Sequence, residues 1–170
     1  MTTVLVAYAT KHGTTAEIAA SIARALRDTG VEVDLRRVED VHDMAGYEAV
    51  IVGSAVYMDR WQRPALDLLM RFGTELRSRP TWLFSSGPIG GTVAADSVVA
   101  GATASPDGVA APAGIDDLAR RIGARGHATF PGRIGADMTG LLERWMPRGD
   151  WRDAGAVRGW ARKVGAQLAA

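Results

Sequence analysis

The chain has no cysteine among its 170 residues. That excludes disulfides, thiolate metal sites, a cysteine nucleophile and cysteine-ligated iron–sulfur clusters together. Histidine is scarce as well. His12, His42 and His127 lie far apart and lack metal-ligand spacing, so no metal site is expected. An excess of charge of either sign is also missing. The formal net charge is +1, and nothing global argues for a nucleic-acid partner. No apolar run approaches the roughly 18 residues a membrane span requires. Met1-Thr2-Thr3 leads straight into Val4-Leu5-Val6, without the basic stretch or cleavage site of a secretory signal, so a cytoplasmic location is expected.

What is present is the composition of a soluble globular chain, 47% apolar and 23% charged. The length suits one ordinary domain with a proper core, spanning residues 1–170. Basic residues outnumber acids from Ile115 onward, among them Arg120, Arg121, Arg125, Arg133, Arg144, Arg148, Arg152, Arg158, Arg162 and Lys163. A solvated surface that prefers Arg to Lys is the simpler account; a basic face for an anionic partner is the sharper one.

Hydrophobic patterning alternates between strands and helices. Val4-Leu5-Val6-Ala7-Tyr8 and Ala49-Val50-Ile51-Val52-Gly53 read as strands covered on both faces, as does Thr81-Trp82-Leu83-Phe84. Val31-Glu32-Val33-Asp34-Leu35 alternates, which suits a strand near the sheet edge, and His127-Ala128-Thr129-Phe130 reads as a last short strand. Ile18, Ala19, Ile22, Ala23 and Leu26 share one helical face, with Gly30 as the stop. A second helix is expected from about Pro64 to Leu76, with Leu66, Leu69, Met70 and Leu76 inward. Asp116 to Ile122 follows, acids first and bases last, as the helix dipole favours. Val157, Trp160, Ala161, Val164 and Leu168 mark a final helix with Asp153 as its N-cap. Met138, Leu141, Leu142, Trp145 and Met146 form another apolar stripe, read as core packing, with a membrane-associated partner as the alternative. Residues 91–114 are rich in Gly and Ala and nearly uncharged, so they are expected to form a long flexible loop. Strands alternating with helices imply an α/β fold whose parallel sheet has the order 2-1-3-4-5.

In such sheets ligands bind beyond the carboxyl ends of the strands, at the switch point of the strand order. Three loops leave such ends: residues 9–15, 53–60 and 85–91. The first, Thr10-Lys11-His12-Gly13-Thr14-Thr15, joins a buried strand to a helix start, where free N–H groups and the dipole favour an anion. Gly13 permits close backbone approach, the threonines add hydroxyls, and no acid intrudes. The Walker phosphate loop and GxGxxG are both absent. An ordinary turn with a Thr N-cap is the bland alternative. Lys11 faces either a phosphate or solvent, and His12 either donates to a ligand or is a plain surface residue. The second loop offers Tyr57, which either stacks on a planar ring or packs locally. Arg60 and Arg63 face either a substrate or solvent. The third, Ser85-Ser86-Gly87-Pro88-Ile89-Gly90, offers backbone groups on a Pro-fixed turn.

Taken together, the three loops resemble those of the flavodoxin-like FMN-binding family. Thr10, Gly13 and Thr15 match its phosphate signature, Tyr57 falls at its ring-stacking aromatic, and Ser85 to Gly90 falls at its third loop. His12 stands where a Thr is common and Thr14 where an Asn is common. The resemblance implies a three-layer sandwich with a five-stranded parallel sheet and FMN as cofactor. It implies FMN contacts from residues 10–15, from Ala55, Val56 and Tyr57, and from Ser85, Ser86, Gly87, Pro88, Ile89 and Gly90. Within that family the chain is most similar to the menaquinone-dependent protoporphyrinogen dehydrogenase branch, through Gly53-Ser54-Ala55-Val56-Tyr57, Leu141-Leu142-Glu143-Arg144-Trp145-Met146 and Asp150-Trp151-Arg152-Asp153. The long charged insert of that branch is replaced here by the nearly uncharged 91–114 stretch.

Two functions follow as expectations. The first is an FMN-dependent oxidoreductase that passes electrons between a reduced donor and a quinone-like or porphyrinogen-like partner, with peripheral membrane contact in the case of a membrane quinone. There the flavin carries the redox chemistry and no side-chain acid or base is nominated. The second is an electron-transfer protein acting on protein partners without a small-molecule substrate.

Overall fold

Val4, Leu5, Val6 and Ala7 are wholly buried, as an unbroken apolar run must be when both faces of its strand are covered. They form the middle of β1 (Thr3–Ala9) in a computed structural model that describes residues 2–87, 112–131, 133–134, 149–150 and 154–170. Around β1 run α1 (Thr14–Arg27), β2 (Glu32–Arg37) and β3 (Ala49–Tyr57). The short β4 (Arg60–Trp61) precedes α2 (Arg63–Arg71), α3 (Gly73–Arg77) and β5 (Thr81–Ser86). The later elements are α4 (Ile115–Ile122), β6 (Gly126–Phe130), β7 (Arg133–Ile134), β8 (Gly149–Asp150) and α5 (Ala154–Ala169).

The main sheet has the order β2-β1-β3-β5-β6, all parallel. This is the expected 2-1-3-4-5, because β4 only folds back antiparallel onto β3. β2 sits at the edge, where Val33 and Leu35 pack against the core while Asp34 between them bonds Arg36 and Tyr47. β7 and β8 form a separate two-residue ladder that the patterning did not announce.

Three layers result. Ile18, Ile22 and Leu26 of α1 and Trp160 and Val164 of α5 cover Val4, Val6, Ile51, Trp82, Phe84 and Phe130. On the opposite face, Leu68, Leu69, Leu76, Ile115, Ala119 and Ile122 cover Leu5, Ala7, Val50, Val52 and Leu83. Gly53 is required on the first face: a Cβ there would stand 1.9 Å from the Phe84 ring.

Two expectations change. The helix foreseen over 64–76 breaks at Phe72, where φ is −107°, and restarts at Gly73. Its inward stripe is Ala65, Leu68, Leu69 and Phe72, at positions i, i+3, i+4 and i+7. Leu66 lies half-buried at the margin, and Met70 falls off the stripe and is 65% exposed rather than inward. The second loop is also shorter than 53–60. β3 continues to Tyr57 because Val56 and Tyr57 pair with Trp61 and Arg60, leaving Met58-Asp59 as a two-residue turn. Both turn residues have positive φ, 49° and 60°, the geometry of tight hairpins.

Candidate functional site

Register places the three loops at one level. Ala9 pairs with Ser54, Ser54 with Ser85 and Ser85 with Thr129, so a row of small residues crosses the carboxyl end of the sheet. Beyond this row lie residues 10–15, the Tyr57 hairpin and the turn that starts at Gly87.

The first loop closes on itself. Thr10 Oγ1 accepts from the Gly13 N–H at 2.9 Å, and Gly13 takes φ +86°, a conformation glycine adopts without strain. Gly13, not a threonine, caps α1, and no side chain caps the helix start. The first intrahelical bond runs from the Glu17 N–H to the Gly13 carbonyl at 3.1 Å. The amides of Thr14, Thr15 and Ala16 therefore have no acceptor within the helix, and they sit at the positive end of its dipole. Thr15 is 1% exposed, and its Oγ1 has no hydrogen-bond partner. Among the described residues it is the one buried side-chain polar atom left so. A buried hydroxyl in that state costs about 1–3 kcal/mol, which a phosphate oxygen would recover. This orphan, three amides and a glycine turn fit the phosphate end of the expected flavin.

The second loop touches the first. Lys11 Nζ stands 3.6 Å from the centroid of the half-buried Tyr57 ring, a cation–π contact. Tyr57 is thus brought to the first loop, with Ala55 and Val56 half-buried behind it. His12 is also half-buried in this loop. Arg60 and Arg63 are exposed, and Arg63 lies 3.9 Å from Asp67.

The third loop starts inside the sheet. Ser85 and Ser86 are both buried. The Ser85 hydroxyl faces the core, 2.7 Å from Trp61 Nε1 and 2.8 Å from His127 Nε2. Any ligand contact from Ser85 would have to come from its backbone. Gly87 takes φ +85° and donates its N–H to the Phe130 carbonyl at 3.0 Å, tying the turn to β6. Pro88, Ile89 and Gly90 lie outside the described residues, as do 91–111, the Met138–Met146 stripe and Asp153.

Trp61 and His127 were not singled out as site residues from sequence. The signal was present in part: the alternation His127-Ala128-Thr129-Phe130 puts His127 and Thr129 on one face of β6. That this face meets Ser85 depends on sheet register. Burial pushes the His127 pKa down from 6.5 to about 4, so its imidazole is neutral near pH 7. Among the described residues no group of His, Asp or Glu is clustered to hold a metal ion, and no helix is long and apolar enough to cross a membrane.

Comparison with known proteins joins this geometry to a family. The profile of the family described as Flavodoxin domain matches residues 5–147, which takes in all three loops. Solved structures similar to the chain include a flavodoxin from the domain Archaea, with 14% identity, 99% of each chain covered and a TM-score of 0.63. A short-chain flavodoxin associated with a non-canonical PDU bacterial microcompartment gives 16% identity, full coverage of both chains and a TM-score of 0.61. Rubredoxin oxygen:oxidoreductase from the anaerobe Desulfovibrio gigas gives 14% identity and a TM-score of 0.64 over 98% of this chain. The match covers only 36% of that oxidoreductase, so the chain spans about a third of its length. At these identities the structures speak for the fold alone. No curated protein sequence matches the chain.

Proposed function

The chain belongs to the flavodoxin-domain family and its cofactor is FMN, and from that premise we propose that residues 10–15 hold the FMN phosphate while Tyr57 lies against the ring. The observation that carries this reading is the buried, unpartnered Thr15 Oγ1 at the start of α1. Thr15 Oγ1 and the amides of Thr14, Thr15 and Ala16 would supply convergent donors to one phosphate. Thr10 Oγ1 accepts from the Gly13 amide, which shapes the turn and leaves its O–H free to donate to the same phosphate. Lys11 would add positive charge while linking phosphate loop and ring loop. Gly87 and the backbone of Ser85 and Ser86 would border the ring edge.

FMN supplies the electron-transfer chemistry, and the protein supplies binding, orientation and exclusion of water. The finer proposal is an oxidoreductase that passes electrons from a reduced donor to a quinone-like or porphyrinogen-like partner. Its support is the similarity of Gly53-Ser54-Ala55-Val56-Tyr57 and of the segments at 141–146 and 150–153 to the protoporphyrinogen dehydrogenase branch.

Purified protein titrated with FMN, then assayed with a reductant and either a soluble quinone or a porphyrinogen, tests both levels. Protein that takes up no flavin overturns the cofactor site. Turnover of either acceptor supports the enzyme. Bound FMN without turnover of either moves the reading to electron transfer between protein partners.

A further inference from the structure

The Tyr57 hairpin reaches the sheet by more than its own ladder. Gln62 N–H donates to Ser54 Oγ at 2.9 Å, just after β4. One residue earlier, the buried Trp61 reaches across to Ser85 on β5, and Ser85 in turn meets His127 on β6. Chemistry fixes the first half of this chain, and the His127 tautomer sets the second. An indole N–H can only donate, so the Ser85 oxygen accepts from Trp61. The hydroxyl proton is then free to donate, and His127 Nε2 accepts it if the imidazole carries its single proton on Nδ1. Both ends of the chain are buried, so loss of the middle group would strand a donor and an acceptor together.

We propose that Trp61, Ser85 and His127 are positioning residues, a buried hydrogen-bonded tie that fixes the Tyr57–Trp61 hairpin against β5 and β6 and so sets the place of the Tyr57 ring in the cofactor site. The second half of this proposal rests on the FMN reading given above; the first half does not. The hairpin needs such a tie. Its ladder with β3 is two residue pairs long, and its turn residues Met58 and Asp59 both hold positive φ, which disfavours non-glycine side chains. Tyr57 sits one residue before that turn, so slack in β4 becomes displacement of the ring.

Two variants break the tie at different atoms. Ser85→Ala removes the middle group, and Trp61→Phe removes the donor while leaving Ser85 and His127 together. Ser85→Thr restores the hydroxyl. Amide exchange over residues 56–61 is expected to speed up about tenfold in S85A and W61F relative to β1, and to recover in S85T. In FMN-loaded protein, the flavin fluorescence quenched by Tyr57 should rise in S85A and W61F and fall again in S85T. Nitrogen shifts of His127 in the unaltered protein should show the Nδ1–H form. Unchanged exchange in both variants overturns the tie, and a proton on Nε2 overturns its direction. Faster exchange with unchanged fluorescence overturns its role toward the ring. Protein that binds no FMN defeats the cofactor reading instead, and hairpin exchange then decides the tie alone.

Discussion

Thr15 and Ser85 are both buried hydroxyl residues, both lie near carboxyl ends of central strands, and both are expected from sequence to contact the cofactor. They differ in what their oxygens meet. Thr15 Oγ1 has no partner, while Ser85 Oγ has two, Trp61 Nε1 and His127 Nε2. An unmet buried polar atom has bonding capacity left to offer a ligand. A fully met one marks scaffolding. On the proposed reading the first loop receives the FMN phosphate, while the side-chain part of the third holds the sheet and hairpin together.

The largest way to disturb this contrast is acid. His127 titrates at about 4 when folded, against 6.5 ordinarily, because burial disfavours its charged form. The unfolded chain therefore takes up the proton first as pH falls. Stability is fully present above pH 6.5 and falls as pH drops from there toward 4, by ~3 kcal/mol. Urea midpoints measured from pH 7 to 4 should show this loss, and His127→Gln should flatten that part of the profile.

Next comes Thr15→Val, which deletes the orphan hydroxyl at nearly constant shape. FMN affinity should fall roughly tenfold to a hundredfold, that is ~1.5–3 kcal/mol, since the lost bond is to a charged oxygen. Cofactor-free stability should hold or rise. Ser85→Ala should do the reverse in the absence of FMN, lowering unfolding stability by about 1–2 kcal/mol through the stranded Trp61 and His127 nitrogens. If both variants behave alike in denaturant and in FMN titration, the contrast between the two hydroxyls fails. The smallest effect is expected at Lys11→Met. Losing its contact with Tyr57 and its charge near the phosphate should weaken FMN by about 0.5–1 kcal/mol, read by the same titration.

Much of the framework was legible because its signal is local. β1 and β3 announce themselves as apolar runs, α1 by its Ile18–Ile22–Leu26 stripe, and the edge place of β2 by alternation. Gly13 and the polar residues around it mark a helix-start turn on their own. The rest depends on long-range register. Nothing near Ser85 says that its hydroxyl meets a tryptophan 24 positions earlier and a histidine 42 positions later. The break at Phe72 was hidden because Gly73 is the only local hint of it, and the wrong phase put Met70 inside. The orphaned state of Thr15 was equally out of reach, since a missing partner is a property of packing.

Gly53 and Phe84 have a consequence for how this sequence can drift. The Phe84 ring fills the volume that any side chain at 53 would need. Neither position is free to vary alone: a larger residue at 53 requires a smaller one at 84, arriving together or through a damaged intermediate. Chains descended from a common ancestor with this one should therefore show the two positions exchanging bulk as a pair, with the combined volume held nearly constant across the sheet.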